Sequence, residues 1–215
     1  APAFATRARL EALGENKSGS YYIDDSRNMF LNPAQIVHYK KKFFLELGGD
    51  PATATNLVDR SVLANRAQGG YVGSFGDHTY AVYYNNTTDR ALDFVGQLNG
   101  FVQTTASSAT NNFIAPDSQI EVAFAGEGDL GWGFSLLYGG NNTKVANLQK
   151  TSSVAGARLG LISGNFQAFS SVGLYSDSAV LIAGQSDELK GKLSIDLAAT
   201  YKADEWTWFG KFTTY

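Results

Sequence analysis

The chain of 215 residues is long enough for one sizeable domain, but only 17% of its residues are charged, while 13% are aromatic and 23 are glycine. The net charge of −3 argues against a nucleic-acid partner, because proteins that bind nucleic acids present basic surfaces. A mean hydropathy of −0.17, with no apolar run approaching about 18 residues, excludes a helical membrane protein.

The chain begins with a lead that carries little strand pattern. Ala1-Pro2-Ala3 is typical of a mature N-terminus left after a signal peptide is cleaved at small residues, and residues 6–15 are predicted to be helical or irregular. Asn32-Pro33 favours a turn, because proline disfavours the α conformation of the preceding residue. Asp24-Asp25 is predicted to lie in a solvated turn or at a helix cap, since no calcium-loop series follows it.

From Val37 onward, apolar and polar residues alternate as they do in β-strands, where successive side chains point to opposite faces. The clearest hairpin is 119–138, in which Ile120, Val122 and Phe124 alternate with small or polar residues. The pattern predicts about nine antiparallel strands of about ten residues each. They cover 37–47, 67–75, 78–85, the two halves of 119–138, 153–162, 166–175, 189–201 and a last strand from residue 205.

Short and long connections alternate along the predicted strands. The short ones are 76–77, 126–131, 163–165 and 202–204, and the long ones are 48–66, 86–118, 140–152 and 176–188. This alternation is typical of bacterial outer-membrane barrels, in which periplasmic turns are short and extracellular loops are long. We therefore predict an all-β, antiparallel transmembrane β-barrel over residues 36–215, preceded by a periplasmic or lumenal segment over residues 1–35.

Aromatic residues support this prediction, because they recur beside the proposed periplasmic turns on the apolar face. Aromatic rings at one level on successive strands form the girdle that sits at the headgroups of a bilayer. The predicted membrane-interface aromatics are Tyr39, Phe75, Tyr80, Phe124, Trp132, Phe166, Tyr201 and Trp206, with Tyr138 at the opposite end of its strand.

The opposite face of the predicted strands carries charges of both signs among many small residues. Such a face is typical of a wet lumen, although the solvent-exposed face of a soluble sheet would carry the same charges. The predicted lumen-lining residues are Lys40, Lys42, Glu46, Glu121, Arg158, Lys190, Lys192 and Asp196.

A short run, DDSRNMFLNPAQ over residues 24–35, resembles the segment ahead of the first strand in FadL-type outer-membrane transporters of hydrophobic compounds. Asn32, Pro33 and Ala34 match the Asn-Pro-Ala pattern of that family. The resemblance implies a barrel of up to about fourteen strands, plugged by its N-terminal segment, although the lead here is shorter than a full hatch domain. Because bacterial barrels have an even number of strands, and Tyr215 is out of phase with Trp206 and Trp208, we also expect the chain to continue beyond Tyr215.

Little in the sequence indicates catalysis, a cofactor or a metal. His38 and His78 begin separate predicted strands, without the cluster of ligands that a metal site needs. We therefore expect a non-enzymatic protein of the outer membrane, with membrane lipid and a small-molecule solute as partners. The leading hypothesis is a channel or transporter for small, in particular hydrophobic, solutes. The alternatives are a structural barrel whose extracellular loops bind a protein partner, and a soluble ligand-binding barrel.

Overall fold

The computed structural model describes residues 10, 12–15, 19–23, 25–48, 66–86, 116, 118–182, 185–191 and 193–214. Within these residues the chain forms one antiparallel sheet of ten strands, preceded by two 3₁₀ helices, Ser26–Phe30 and Pro33–Tyr39. The prediction of an all-β antiparallel fold is confirmed. The strands are β1 (Lys42–Gly48), β2 (Arg66–Phe75), β3 (His78–Tyr84), β4 (Ser118–Gly126), β5 (Gly131–Val145), β6 (Leu148–Ser163), β7 (Phe166–Ile182), β8 (Gln185–Lys190), β9 (Ser194–Ala203) and β10 (Trp206–Thr214).

Strand neighbours follow chain order from β1 to β7 and then continue to β9 and β10. The long strand β7 has two partners along one side, since residues 166–173 pair with β9 and residues 177–182 pair with β8. In the described part of the chain β1 and β10 are the two edges and do not pair with each other, so the sheet is not closed into a barrel.

The connections lie at two rims of the sheet. The tight turns 76–77, 127–130, 164–165 and 204–205 share one rim, which we call the turn rim, and the opposite rim is the loop rim. Two predicted long connections, 140–152 and 176–188, are instead mostly strand, because the β5–β6 ladder continues to Val145 and Leu148 and the β7–β8 ladder to Ile182 and Gln185. The other two long connections lie largely outside the described residues.

The first strand begins later than its alternation predicts. Asn32 caps the second 3₁₀ helix, its side chain accepting from the Ala34 N–H, and Pro33 occupies the first helical turn, where its missing N–H costs nothing. Lys41 then takes a positive φ of 59°, and β1 starts at Lys42. Val37 and Tyr39 therefore lie in a helix, and their period-2 spacing does not reflect a strand.

The sheet has two chemically different faces. We call the face against which residues 19–40 pack the inner face, and its opposite the outer face. On β5 the inner face carries Gly133 and Ser135, both buried, while the outer face carries Trp132 and Leu136, both exposed. The polar face of this sheet is thus covered, and its apolar face is open.

Candidate functional site

The N-terminal segment, residues 19–23 and 25–40, lies on the inner face and makes the main apolar core there. In it Phe30 meets Tyr83 of β3 edge-to-face, with ring centroids 4.7 Å apart. Strands β2 to β4 contribute mostly small or polar side chains to this face, so the segment supplies the large apolar groups. The core consists of Met29, Phe30, Ile36 and Tyr39 from the segment and Val72, Ala81, Tyr83, Ala123 and Ala125 from the sheet.

Three hydrogen bonds and one ring stack attach the segment to the centre and far side of the sheet. Asn32 Nδ2 donates to the Leu161 carbonyl and to Gln167 Oε1, both at 3.4 Å, while Gln35 Nε2 donates to the same Gln167 oxygen at 2.9 Å. Tyr21 stacks on Phe209 of β10, with ring centroids 4.1 Å apart. The segment therefore spans the inner face from β1, where Tyr39 meets Phe44, to β10.

Arg27 is the buried cation of the segment, with 2% of its surface exposed. One guanidinium nitrogen donates to Asn86 Oδ1 at 2.6 Å, and another lies 3.5 Å from Glu46 Oε2 on β1. The guanidinium also sits 4.9 Å from the centroid of the Phe30 ring. The sequence prediction missed this residue because it followed the alternation of residues along strands, and Arg27 lies in a 3₁₀ helix.

A second buried ion pair joins three neighbouring strands on the inner face. Arg158 of β6 pairs with Glu121 Oε1 of β4, and Ser135 of β5, which lies opposite Arg158 in the ladder, donates to the same oxygen at 2.8 Å. A third pair, between Lys211 and Asp196 at 3.5 Å, is more exposed. Three carboxylates of the inner face, Glu46, Glu121 and Asp196, thus each lie beside a cation.

Several polar atoms of the inner face are buried without a hydrogen-bond partner among the described residues. They include both side-chain polar atoms of Gln119, Oε2 of Glu121 and Oε1 of Gln68. Buried polar atoms in proteins are nearly always satisfied by protein, water or ligand. These unpaired polar atoms are concentrated on the inner face toward the loop rim.

The outer face displays large apolar side chains on nearly every strand. The strand register aligns many of the aromatic ones, with Tyr80 opposite Phe124 and Phe166 opposite Tyr201. Phe124 stacks on Phe134 at 5.5 Å between ring centroids. Outer-face residues that are more than two-fifths exposed include Phe43, Leu45, Tyr71, Phe75, Ile120, Phe124, Leu136, Tyr138, Leu159, Leu161, Phe166, Leu197, Tyr201, Trp206, Trp208 and Phe212.

Five of the eight predicted lumen-lining residues lie on one face of the sheet. Lys42, Glu46, Glu121, Arg158 and Asp196 share the inner face, as the ladder registers show. The remaining three residues do not join them.

Lys40 precedes β1 and pairs with Glu127 in the β4–β5 turn at 2.8 Å. Lys190 lies instead on exposed β8, because the predicted strand 189–201 is broken after Lys190 and strand parity does not carry across the break. The hydrogen bond and charge of Glu188, 3.0 Å away, raise the pKa of Lys190. Lys192 lies outside the described residues.

Most of the predicted interface aromatics occupy the outer face, but Tyr39 does not. Its side chain is 5% exposed, and its hydroxyl donates to the Asp25 carbonyl at 3.1 Å within the core. Asp25 itself caps the first 3₁₀ helix by accepting from the Arg27 N–H at 2.8 Å, so the helix-cap interpretation of this aspartate is confirmed. The outer-face group consists of Phe75, Tyr80, Phe124, Trp132, Tyr138, Phe166, Tyr201 and Trp206.

Comparisons with protein-family models, with curated proteins and with solved structures gave no match. The similarity of residues 24–35 to FadL-type transporters therefore stays a prediction that rests on Asn32, Pro33 and Ala34. Among the described helices, none is long and apolar enough to cross a membrane.

Proposed function

We propose that the chain forms the wall of an outer-membrane β-barrel channel or transporter that admits small solutes, hydrophobic ones in particular if the FadL-type resemblance holds. The observation that carries the proposal is the distribution of polarity between the two faces. Large apolar side chains project from the outer face, whereas the ion-paired residues Glu46, Glu121 and Arg158 project from the inner face. Soluble monomers rarely expose continuous apolar patches larger than a few hundred Å². In a bilayer, hydrocarbon would surround the outer face, so its apolar side chains would not be exposed to water.

The aromatic residues near the turn rim support a defined depth in the bilayer. Tyrosine and tryptophan combine an apolar ring with a polar group, so they are favoured where hydrocarbon meets headgroups. Trp132, Tyr201 and Trp206 lie within a few residues of the tight turns, and Tyr138 lies toward the loop rim. Two aromatic levels on one apolar face are the pattern of an outer-membrane barrel.

The inner face supports a water-accessible interior crossed by paired charges. The N-terminal segment fills part of that interior through apolar packing and the Arg27–Glu46 pair. In the proposed channel, solute would pass along charged walls such as the one that carries Asp196 and Lys211. Charged groups at a constriction set ion selectivity.

Membrane placement requires every sheet edge to be paired, because hydrocarbon offers no hydrogen bonds to an open strand. In the sheet described above, β1 and β10 each have one neighbour. The proposal therefore requires that both edges gain a partner strand in the bilayer.

The experiment is single-channel recording from the full chain in planar bilayers, with reversal potentials measured in a salt gradient. We expect discrete conductance steps, and we expect Lys211→Glu to shift the selectivity toward cations. Lys144→Glu, which makes the same change of charge on the exposed β5–β6 hairpin, is the matched control and should leave the selectivity unchanged.

Each alternative predicts a different result. Insertion without conductance would overturn the channel hypothesis and favour a structural barrel whose loops bind a protein partner. Failure to insert, with full solubility in the absence of detergent, would favour the soluble ligand-binding barrel.

A further inference from the structure

The outer face changes from apolar to polar close to the loop rim. Reading across the ladder, Ile120, Tyr138, Ala155 and Tyr175 form one row. The row beyond it toward the loop rim contains Ser118, Gly140, Ser153 and Asp177, and the next contains Asn142, Thr151 and Ala179. The two tyrosines therefore mark the boundary of the apolar surface.

A cleft of about 750 Å³ opens directly beyond this boundary. Its lining includes Tyr138, Asn142, Thr151, Asp177 and Glu188. Asp177 Oδ2 accepts from the Tyr175 hydroxyl at 3.0 Å, whereas its Oδ1 is buried and has no hydrogen-bond partner among the described residues. The Asp177 carboxylate is thus held in place by Tyr175 at the wall of the cleft.

The chemistry of this lining selects among classes of ligand. Hydroxyl, amide and carboxylate groups dominate, so an acyl chain would bury them unpaired at a high cost. None of the described lining residues is a cation, which disfavours a phosphate group, and the nearby Lys190 is already paired with Glu188. A sugar suits the cleft, because its hydroxyls would donate to the carboxylates and its apolar ring face would cover the exposed Tyr138 ring.

We propose that this cleft binds the saccharide headgroup of a glycolipid in the outer leaflet. The inference rests on the proposed function, which places the apolar rows below Tyr138 in hydrocarbon. The cleft lies on the outer face, where a solute in the lumen does not reach it, and the acyl chains of a bound lipid would continue along the apolar rows. A lipid-borne sugar therefore fits this position better than a free one.

The test uses the full chain in lipid nanodiscs, with bound lipid counted by native mass spectrometry. The probes are glucosyl-dioleoylglycerol and dioleoyl-phosphatidylethanolamine, which share acyl chains and differ in headgroup. We expect selective retention of the glucosyl lipid. Asp177→Ala should weaken retention about tenfold, the loss expected for a hydrogen bond to a charged group. Asp129→Ala, the same change in the β4–β5 turn at the opposite rim, should have no effect.

Tyr138→Ala gives a second variant that leaves the Asp177–Tyr175 contact intact, in case Asp177→Ala fails to fold. Equal retention of the two lipids by the unmodified chain, or retention unchanged in both cleft variants, would overturn the proposal. Methyl glucoside is the free-sugar probe. If it binds while the glucosyl lipid is not retained, the cleft takes a free sugar and the proposal of a glycolipid ligand is overturned.

A chain that does not enter nanodiscs would instead contradict the proposed membrane function. The cleft is then tested in detergent with methyl glucoside alone. Binding that is lost in Asp177→Ala would keep a saccharide site, whereas no binding would remove it.

Discussion

Asn32 lies so close to Gly160 of β6 that a Cβ atom added to this glycine would come within 2.9 Å of the Asn32 Cγ. On β5, a Cβ at Gly133 would lie 2.5 Å from the carbonyl carbon of Pro33. The Asn-Pro-Ala motif therefore rests on a seat of two glycines that face each other across the β5–β6 ladder. The seat explains how a short segment can approach the backbone of the sheet, because any larger residue would hold it away.

Gly160→Ala is expected to weaken docking of the N-terminal segment. Inserting a methyl group into a packed interface typically costs about 1–3 kcal/mol, and here the added atom would meet Asn32 and its hydrogen bonds. The expected result is a lower unfolding midpoint in urea and faster proteolysis of the segment. Gly210→Ala is the matched control, since nothing lies within 4 Å of its added Cβ. Equal effects of the two substitutions would contradict this account of the seat.

Strand parity predicted most of the sheet because the apolar and polar faces are cleanly separated wherever the outer face is apolar. It failed at 140–152 and 176–188, where apolar and polar residues do not alternate although the ladder continues. It was ambiguous in β7, where Phe169 on the inner face lies near the Tyr21 ring of the segment and so adds an apolar residue to the face that is otherwise polar. Alternation therefore fails as a predictor in two cases: where a strand continues without alternating residues, and where the inner face also carries an apolar side chain.

The candidate site was less predictable, because it depends on a segment that is not a strand. Glu121 and Arg158 could be placed on one face by parity alone, but their pairing depends on the register of β4, β5 and β6. The role of Arg27 could not be predicted from periodicity. The one signal in the sequence was that Arg27 lies two residues after the capping Asp25. This spacing does not indicate that its partner is Glu46 on β1.

The buried pair of Glu121 and Arg158 gives a test of coupling on the inner face. Removing one member of a buried pair leaves an unpaired charge and typically costs about 3–5 kcal/mol, whereas replacing both by apolar residues can be nearly neutral. We therefore expect Glu121→Met and Arg158→Met each to lower the free energy of unfolding strongly. The double variant should be more stable than either single one.

This coupling is measured by a double-mutant cycle of urea unfolding. The control is the more exposed Asp196–Lys211 pair, for which a coupling of about 0–1 kcal/mol is expected. Strictly additive effects of Glu121→Met and Arg158→Met would contradict the pairing.

The polarity of the two faces predicts a position-dependent cost of arginine. Leu136→Arg on the outer face should cost about 2–4 kcal/mol of folding into bilayers if it sits near the midplane. Thr213→Arg on the inner face, beside Asp196 in the ladder, should cost much less. Folding yields into vesicles at graded urea concentrations measure the difference. A soluble protein would give the opposite order, because an exposed leucine loses nothing when it becomes arginine in water.

The absence of cysteine from the sequence allows a clean test of sidedness. Lys144→Cys lies near the end of the β5–β6 hairpin at the loop rim, and Asp77→Cys lies in a tight turn at the turn rim. If the loop rim is extracellular, a membrane-impermeant maleimide applied to intact cells should label the cysteine at position 144 and spare the one at position 77. Disrupted cells provide the control in which both are labelled, and the reverse pattern would invert the topology.

The last prediction concerns the two edges of the sheet. Along the path from β1 to β10 each neighbour is antiparallel, so nine strands leave β1 and β10 running in the same direction. Bacterial single-chain barrels close antiparallel, and an open edge is not tolerated in hydrocarbon. We therefore expect β1 and β10 each to gain an antiparallel neighbour in the membrane, and not to pair with each other.

Paired cysteines at Leu45 and Phe212 should fail to form a disulfide in vesicles under oxidising conditions. Cysteines at Tyr201 and Trp208, which are opposite each other in the β9–β10 ladder, are the positive control. Because one residue pair samples one register, cysteine at Phe43 is tested against Phe212 as well. Efficient cross-linking between β1 and β10 in either pair would show parallel closure and refute this prediction.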